Sequence, residues 1–244
     1  MRILFCVFWI LMFSACGTGN KDNEKKTDST SVKKEVKVEK QKSELEKELI
    51  ADGLIDIHQL DTTIKVELKY ATTDNFTKCN LYGDLDKAYL QKDAAEKLVS
   101  AEKYLNEQEP GYRLIIFDAA RPLKIQKKMW DTLNMPFMEK IKYISSPKQG
   151  GSHNYGVAVD LSIIDNKGKE LDMGTSFDFF GELASPQSET KMLNEGKLTR
   201  QQIENRKLLR SIMSKAGFSG IPFEWWHFIT CSLKSAKSKY KLIE

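Results

Sequence analysis

The chain has only three histidines, and two of them lie in short stretches that also carry carboxylates. The first stretch runs from Ser152 to Asp160 and contains His153, and the second is Glu224-Trp225-Trp226-His227. Two imidazoles and a carboxylate can bind one zinc ion and leave a fourth coordination position for water. A second carboxylate beside that water can take its proton. The sequence therefore predicts a zinc hydrolase in which two distant segments meet around one metal ion.

The N-terminal residues predict an exported protein with a lipid anchor. Arg2 precedes an apolar run at 3–13, which is too short for a permanent membrane span but typical of a signal peptide. The run ends in small residues before Cys16, which resembles the lipobox of bacterial lipoproteins. We therefore expect a signal peptide over residues 1–15, lipidation at Cys16 and a location in the bacterial cell envelope, periplasmic or associated with the outer membrane. The alternative is an ordinary secretory signal cut nearby.

Residues 16–49 consist mainly of charged and small polar residues, with almost no large apolar side chain. Such a composition buries too little surface to offset the entropy of ordering, so it predicts a disordered charged tether. The charges of this segment are nearly balanced, and the net charge of +4 is spread along the chain, which argues against nucleic-acid binding. The sequence gives no sign of an obligate protein partner. Cys79 and Cys231 are expected to be buried or semi-buried thiols and do not form a disulfide framework.

Residues 50–244 predict a single folded domain of the α+β class, with a largely antiparallel central sheet and flanking helices. Alternating or short apolar runs predict the strands, and Pro110-Gly111, Gly168 and Gly217 are typical of the ends of elements. Capping signatures or a proline in the first turn predict the helix starts. The predicted strands are 64–70, 112–117, 157–164 and 223–230, and the predicted helices begin near Asp93, Pro122 and Thr199.

Asp160 is a carboxylate in an otherwise apolar predicted strand. Alternate residues of a strand face the same way, so Val159 and Leu161 should face the core and Asp160 the opposite side. An unpaired charge there is costly, and a metal ion would remove that cost. Gly156 allows the chain to bend so that His153 converges on Asp160. The alternative interpretation is a surface histidine and an aspartate in an ordinary salt bridge.

Glu224 and His227 are three positions apart, a spacing that places them on opposite faces of a regular strand. Both can reach one site if Glu224 lies in the turn after Pro222, before the strand, or if the strand bulges. The alternative interpretation is that Trp225 and Trp226 are core aromatics whose neighbours are incidental.

Arg121 follows a predicted buried strand and precedes Pro122, so it lies at a strand-to-helix corner where side chains can enter a cleft. A guanidinium there can stabilise the oxyanion of a tetrahedral intermediate or bind a carboxylate. The alternative is a structural ion pair with Asp118.

The motif Ser-His-x-x-Gly-x-Ala-x-Asp at 152–160, followed by Glu-Trp-Trp-His at 224–227, resembles the zinc D-Ala-D-Ala dipeptidases of the VanX type. These belong to a wider group of D-Ala-D-Ala carboxypeptidases and hedgehog-like zinc domains. The resemblance covers most of the folded body, and the other segments that carry it are 70–76, 118–122 and 173–178. It implies a hedgehog-like, D,D-peptidase-like fold and hydrolysis of the D-Ala-D-Ala dipeptide to free D-alanine.

The resemblance also implies roles for individual residues. His153, Asp160 and His227 would bind one zinc ion per chain. Glu224 would act as the general base, and Arg121 would polarise the scissile carbonyl and stabilise the oxyanion.

For the substrate, the resemblance implies that Tyr70 and Asp178 help to hold the free amino group and that Ser152 belongs to the binding site. The chain departs from the family's common pattern at Gly151, where a serine is usual.

Three other functions remain open from the sequence. A D,D- or L,D-carboxypeptidase that trims peptidoglycan stems would use the same zinc chemistry in an open cleft without an amino-group clamp. A non-catalytic zinc module that binds cell-wall peptides would not need both Glu224 and Arg121. A metal-free adhesion lipoprotein would leave the clustering of two histidines unexplained.

Overall fold

The computed structural model describes residues 42–244. The predicted signal peptide at 1–15, the lipidation site Cys16 and most of the predicted tether lie outside these residues. The last part of that tether is folded, because a helix begins at Glu44, capped by Ser43, and buries Leu49 completely. Its charged side chain Glu46 is also buried and accepts hydrogen bonds from Lys87 and from a tyrosine. The tether prediction is therefore wrong for its last residues, since these charges have partners far away in the sequence.

Within residues 42–244 the chain forms seven α-helices and seven strands, besides short 3₁₀ turns. The helices are α1 (Glu44–Ala51), α2 (Lys92–Gln108), α3 (Leu123–Thr132), α4 (Phe137–Lys140), α5 (Glu189–Asn194), α6 (Arg200–Lys215) and α7 (Leu233–Lys239). The strands are β1 (Ile55–Asp56), β2 (Lys65–Val66), β3 (Tyr89–Leu90), β4 (Arg113–Asp118), β5 (Ala158–Ile164), β6 (Ser219–Gly220) and β7 (His227–Ile229). None of the helices in this part of the chain combines the length and the apolar character that a membrane crossing requires.

The central sheet has the strand order β2-β4-β5-β7-β6. Strands β2 and β4 are parallel and the other three pairings are antiparallel, while β1 and β3 form a separate antiparallel pair. Helix α2 packs against β4 and against α6, and apolar residues from the sheet and these helices share one core. The α+β class with a largely antiparallel sheet is confirmed.

A bulge in β4 sets which side chains share the polar face of the sheet. Ile116 lies opposite Leu161, whereas Asp118 lies opposite Asp160, so β4 has one residue more than β5 between these pairs. Such an extra residue turns the following side chain to the other face. Asp118 therefore lies on the same face as Asp160, whose other neighbour across the sheet is His227. The fold thus aligns three polar residues across three adjacent strands.

Two predicted strands are shorter in the structure than in the prediction. Of the strand predicted at 64–70, only Lys65–Val66 is a strand in the structure, because the backbone turns at Lys69–Ala71. Of the strand predicted at 223–230, only His227–Ile229 is a strand in the structure. In contrast, the capping box of Thr199 and Gln202 is confirmed at the start of α6. Helix α2 is confirmed as well, but the capping box predicted at Asp93 is not formed, because the helix begins at Lys92 and Gln91 at its N-cap position makes no side-chain capping hydrogen bond.

The remaining histidine and the cysteines lie away from the polar face. His58 has a structural role, since its Nε2 lies 2.9 Å from the carbonyl oxygen of Ile64. Cys79 and Cys231 are both free thiols; Cys231 is half-buried, whereas Cys79 is exposed, contrary to the prediction of a buried or semi-buried side chain.

Candidate metal centre and active site

The structure brings His153, Asp160 and His227 together in one buried cluster, with one possible ligand atom of each within 4.8 Å of the others. His153 Nε2 lies 3.1 Å from His227 Nδ1. Asp160 Oδ1 lies 2.9 Å from His227 Nδ1, and Asp160 Oδ2 lies 3.3 Å from His153 Nε2. The segments that the sequence predicted to converge therefore meet.

These distances match a zinc coordination sphere. A tetrahedral ion with bonds of about 2.0–2.1 Å places its ligand atoms roughly 3.3 Å apart. The three observed separations, which involve one or the other oxygen of Asp160, run from 2.9 to 3.3 Å and are close to that spacing. Two imidazole nitrogens and a carboxylate oxygen are also ligand types that zinc accepts. The residues present fit the metal.

His153 is presented to the cluster by a tight turn at Ser152–Tyr155 that ends in Gly156. Gly156 has φ +67°, a conformation that favours glycine, and a Cβ atom there would lie 2.8 Å from Leu54 Cδ2 and 3.3 Å from the backbone nitrogen of Gln91. The His153 Nδ1–H donates to the Ala119 carbonyl oxygen at 2.7 Å, which leaves Nε2 free to bind a metal. The turn therefore fixes the position of the ring and its tautomer.

The other two residues of the cluster, Asp160 and His227, come from paired strands. His227 Nε2 lies 3.4 Å from Ser152 Oγ, an arrangement that leaves Nδ1 facing Asp160. Burial opposes ionisation of Asp160, but the His153 and His227 rings outweigh it and hold the pKa of this carboxyl well below its usual range. Burial also opposes protonation of His153, yet Asp160 raises its pKa overall. The cluster is thus a strongly anionic carboxylate between two imidazoles.

Arg121 lines the pocket that also contains the cluster of His153, Asp160 and His227. It lies at the strand-to-helix corner that the sequence predicted. Its Nε donates to Asp118 Oδ2 at 2.9 Å, and its Nη2 pairs with the same oxygen. Its Nη1 donates to Gln126 Oε1 at 3.0 Å. Burial alone would lower the pKa of Arg121, but Asp118 and two neighbouring tyrosines raise it well above its ordinary value. The ion pair with Asp118 is therefore present, and it fixes a guanidinium that also faces the pocket.

Glu224 lies in the loop between Pro222 and β7, the first of the two arrangements that its spacing from His227 allowed. Its carboxyl group lines the pocket beside the metal ligands. Desolvation raises its pKa to about 8 in the metal-free protein, although His227 acts in the opposite direction. A cation held by the three ligands would favour its ionised form. Trp225 and Trp226 are both buried in the core, and Trp226 also lines the pocket together with Glu224 and His227.

A second acidic position lies at Asp178, where the Tyr70 hydroxyl donates to Oδ2 at 2.7 Å. Desolvation raises the pKa of Asp178 to about 8. Burial and Asp178 raise the pKa of Tyr70 well above its ordinary value. Asp178 has φ +59°, a left-handed conformation that aspartate and asparagine tolerate better than most residues. The backbone is thus held in an uncommon conformation where this carboxyl meets the pocket.

All the predicted catalytic, substrate-binding and metal-binding residues line one cavity of about 200 Å³. This is smaller than the roughly 300–1,000 Å³ of sites for drug-sized ligands, so the cavity suits a small molecule. The predicted residues that line it are Tyr70, Arg121, Ser152, His153, Asp160, Asp178, Glu224 and His227.

Sequence reasoning missed other residues of the cavity wall. Gln126 lines the cavity from the end of the first turn of α3, and residues 141–145 line it from the segment that follows α4. No local pattern distinguishes these residues, because their part in the site comes from long-range contacts. Gln126 does lie five positions after Arg121 on a helix, which is the one signal that relates it to the site.

Comparison with known proteins gives consistent matches. The family described as Peptidase_M15, D-ala-D-ala dipeptidase, matches residues 50–240. The D-alanyl-D-alanine dipeptidase of Escherichia coli (strain K12) is 34% identical over 175 residues, which cover 72% of this chain and 83% of that protein. The D-alanyl-D-alanine dipeptidase of Enterococcus faecium is 28% identical over 192 residues, which cover 72% of this chain and 91% of that protein.

Among solved structures, the LdcB LD-carboxypeptidase shares 18% sequence identity with a TM-score of 0.37, covering 62% of this chain and 63% of its own. That likeness is too low to bear on fold or function.

Proposed function

The chain belongs to the peptidase M15 family of D-Ala-D-Ala dipeptidases, and on this premise we propose that it hydrolyses the D-Ala-D-Ala dipeptide to free D-alanine. The observation that carries the proposal is one small cavity that holds the cluster of His153, Asp160 and His227 together with Glu224 and Arg121. A ligand set, a carboxyl base and a fixed guanidinium are the groups that metal-assisted hydrolysis of a peptide bond requires.

We propose that the metal is zinc, one ion per chain. His153 Nε2, His227 Nδ1 and the Asp160 carboxylate would hold it, since their separations fit its coordination sphere. When bound, zinc supplies Lewis-acid chemistry, which activates water and polarises a carbonyl group.

The protein's own residues then divide the remaining tasks. Glu224, on the cavity wall, removes a proton from the attacking water and delivers it to the amino group that leaves. Arg121 stabilises the negative charge that develops on the carbonyl oxygen. Because Asp118 and Gln126 already hold the guanidinium, it needs no rearrangement during the reaction.

Tyr70 and Asp178 bind the free amino group of the substrate. An ammonium group favours the ionised form of Asp178, whose carboxyl otherwise keeps its proton up to a pKa of about 8. The Tyr70 hydroxyl fixes one carboxyl oxygen, so that the other oxygen is available to the ligand. Ser152 shapes the site through His227, whose Nε2 lies 3.4 Å away.

A carboxypeptidase that trims peptidoglycan stems is not favoured. Such an enzyme must admit a peptide chain that continues beyond the scissile residues. The cavity of about 200 Å³ is small for that purpose, and an acidic group with a fixed tyrosine partner occupies its wall. Both features suit a free dipeptide with a charged amino terminus.

The experiment compares D-Ala-D-Ala, L-Ala-L-Ala and a muropeptide that ends in D-Ala-D-Ala, each before and after treatment with a chelator. We expect release of D-alanine from the free dipeptide, loss of activity on chelation and recovery when zinc is added back. Preferential cleavage of the muropeptide would instead identify a carboxypeptidase. Activity that persists without metal would overturn the zinc assignment.

We also propose that the protein is a lipoprotein of the bacterial cell envelope, anchored to a membrane through Cys16. The supporting features are the short apolar run and the small residues that precede this cysteine. Labelling of cells with a fatty-acid analogue should mark the wild-type protein but not Cys16→Ser. Equal labelling of both proteins, or of neither, would contradict the anchor.

A further inference from the structure

Ser145 occupies the space in which a side chain at position 151 would lie. A Cβ atom built on Gly151 would be 2.7 Å from Ser145 Oγ and 3.0 Å from Ser145 Cβ. Gly151 has φ −128° and ψ 178°, an extended conformation that any residue can adopt. Its backbone therefore does not require glycine. A side chain at position 151 would instead require the Ser145 side chain to move, since the nearest atom is its Oγ.

A hydrogen bond to its carbonyl group and the burial of the preceding residue hold Ser145 in the cavity wall. The buried Gln126 donates from Nε2 to the Ser145 carbonyl oxygen at 2.7 Å, and its Oε1 accepts from Arg121 Nη1 at 3.0 Å. The preceding residue, Ile144, is buried in the core. The backbone of Ser145 is thereby held at a set distance from the guanidinium of the active site.

The hydroxyl of Ser145 is free to bind a ligand. Ser145 lines the cavity, and its Oγ forms no hydrogen bond with any residue in the range 42–244. Lys142, on the same segment, also lines the cavity and has no ion-pair partner within that range. This part of the wall thus offers a hydrogen-bond donor and a positive charge.

The charges of the cavity match a zwitterion. Asp178 provides a carboxyl group for a cationic end, whereas the wall that carries Lys142 and Ser145 suits an anionic end. A free dipeptide has one group of each kind. Hydrogen bonds to an ionised group are the stronger ones, so a single hydroxyl can contribute measurably to its binding.

We propose that Ser145 donates a hydrogen bond to the C-terminal carboxylate of the dipeptide and is therefore a specificity-determining residue. This inference rests on the proposed function. It assigns the recognition of the carboxylate to the segment after α4, which lies beside Gly151 in the wall.

The test begins with Ser145→Ala. Loss of a hydrogen bond to a charged group should raise KM for D-Ala-D-Ala by roughly tenfold or more, with a much smaller change in kcat. The dissociation constant, measured by calorimetry with the inactive Glu224→Gln variant as background, should rise by the same factor. Ser146→Ala is the matched control, because Ser146 is adjacent but does not line the cavity.

Exchanging the residues at positions 145 and 151 distinguishes the effect of the hydroxyl group on affinity from the effect of packing. Ser145→Gly should lose affinity as Ser145→Ala does. The double variant Ser145→Gly with Gly151→Ser returns a hydroxyl to the same region, because the clashing atoms of Ser145 are then gone and the next atom, Asn154 Oδ1, lies 3.8 Å away. We expect this exchange to recover most of the lost affinity. An exchange variant no better than Ser145→Gly would overturn the proposal.

The C-terminal amide of D-Ala-D-Ala tests which end of the substrate is involved. Its binding to the wild-type protein should be weaker than that of the free acid, and Ser145→Ala should weaken it no further. If Ser145→Ala binds the free acid as tightly as the wild type does, the inference fails while the proposed function stands. If the wild-type protein itself does not hydrolyse the dipeptide, the proposed function fails, and the inference fails with it.

Discussion

Asp118 and Asp160 lie directly opposite each other in β4 and β5, and Arg121 forms hydrogen bonds with Asp118 but only a longer ion pair with Asp160. Its Nε donates to Asp118 at 2.9 Å, whereas its Nη2 remains 3.8 Å from Asp160. The Tyr82 hydroxyl and the Ala119 amide hold the other oxygen of Asp118, at 2.6 and 2.9 Å. Asp118 thus accepts the short hydrogen bonds of the guanidinium, so the oxygens of Asp160 remain available to the two imidazoles.

Asp118→Asn should weaken metal binding although Asp118 is not a ligand. Without its charge, Arg121 is drawn toward Asp160 and competes with the metal. Breaking a buried ion pair costs about 3 kcal/mol, equivalent to a fall in melting temperature of roughly 6–12 °C for a domain of this size. Calorimetry and metal analysis after dialysis against graded chelator measure both effects. Asp131→Asn, at the exposed end of α3, is the control, and equal metal affinity in the two variants would contradict this account.

Glu224→Gln should keep the metal and lose turnover. The amide has the same shape as the carboxyl group but cannot accept the proton of water, and loss of a general base costs about 100-fold or more in rate. Steady-state kinetics and elemental analysis give the two readouts. His227→Ala is the contrasting variant, because it should lose the metal itself. A glutamine variant that remains active with a full complement of zinc would show that Glu224 is not the base.

Asp178→Asn should stabilise the metal-free protein, and by more at pH 8 than at pH 5. The pKa of Asp178 rises from 3.8 to about 8 on folding, chiefly through desolvation. The folded state therefore binds the extra proton, and stability is lost as pH rises from the lower value to the higher. Asparagine carries no charge to desolvate and tolerates the left-handed conformation at φ +59°. Thermal melting of both proteins across this pH range measures the difference, and parallel curves would refute it.

The sequence was sufficient to find the candidate ligands because each histidine of the cluster has a carboxylate nearby in the chain, while their roles came from the resemblance to the dipeptidases. The alternation of β5 also predicted correctly that Asp160 faces away from Val159 and Leu161. It did not predict that Asp118 shares this face, because the bulge in β4 appears only in the register with β5. A local pattern of apolar and polar residues contains no information about such a register shift.

Contacts between distant segments account for the other differences. The residues of α1 have the composition of a tether, but Glu46 is paired with Lys87 and Leu49 is buried. Ser145 has no distinguishing neighbours in the sequence, and its place in the wall depends on a hydrogen bond from Gln126. Such partners become visible only once the chain is folded.

Gly156→Ala should damage the metal centre by displacing the turn that carries His153. The added Cβ atom would lie 2.8 Å from Leu54 Cδ2 and 3.3 Å from the backbone nitrogen of Gln91, at φ +67°. Gly168→Ala is a matched control, because that glycine has φ +80° but no atom within 4 Å of the added carbon. The control isolates the left-handed strain, about 1–2 kcal/mol.

The steric overlap at Gly156 should add roughly 1–3 kcal/mol to that strain, so Gly156→Ala should melt at a clearly lower temperature than Gly168→Ala. Gly156→Ala alone should also bind zinc more weakly, since the Gly156 amide donates to the His153 carbonyl oxygen at 3.1 Å and closes the turn. Thermal melting and zinc titration of both variants measure these effects. Equal losses of stability and zinc affinity in the two variants would mean that backbone strain alone explains why position 156 is glycine. The packing of this turn against Leu54 and Gln91 would then play no part.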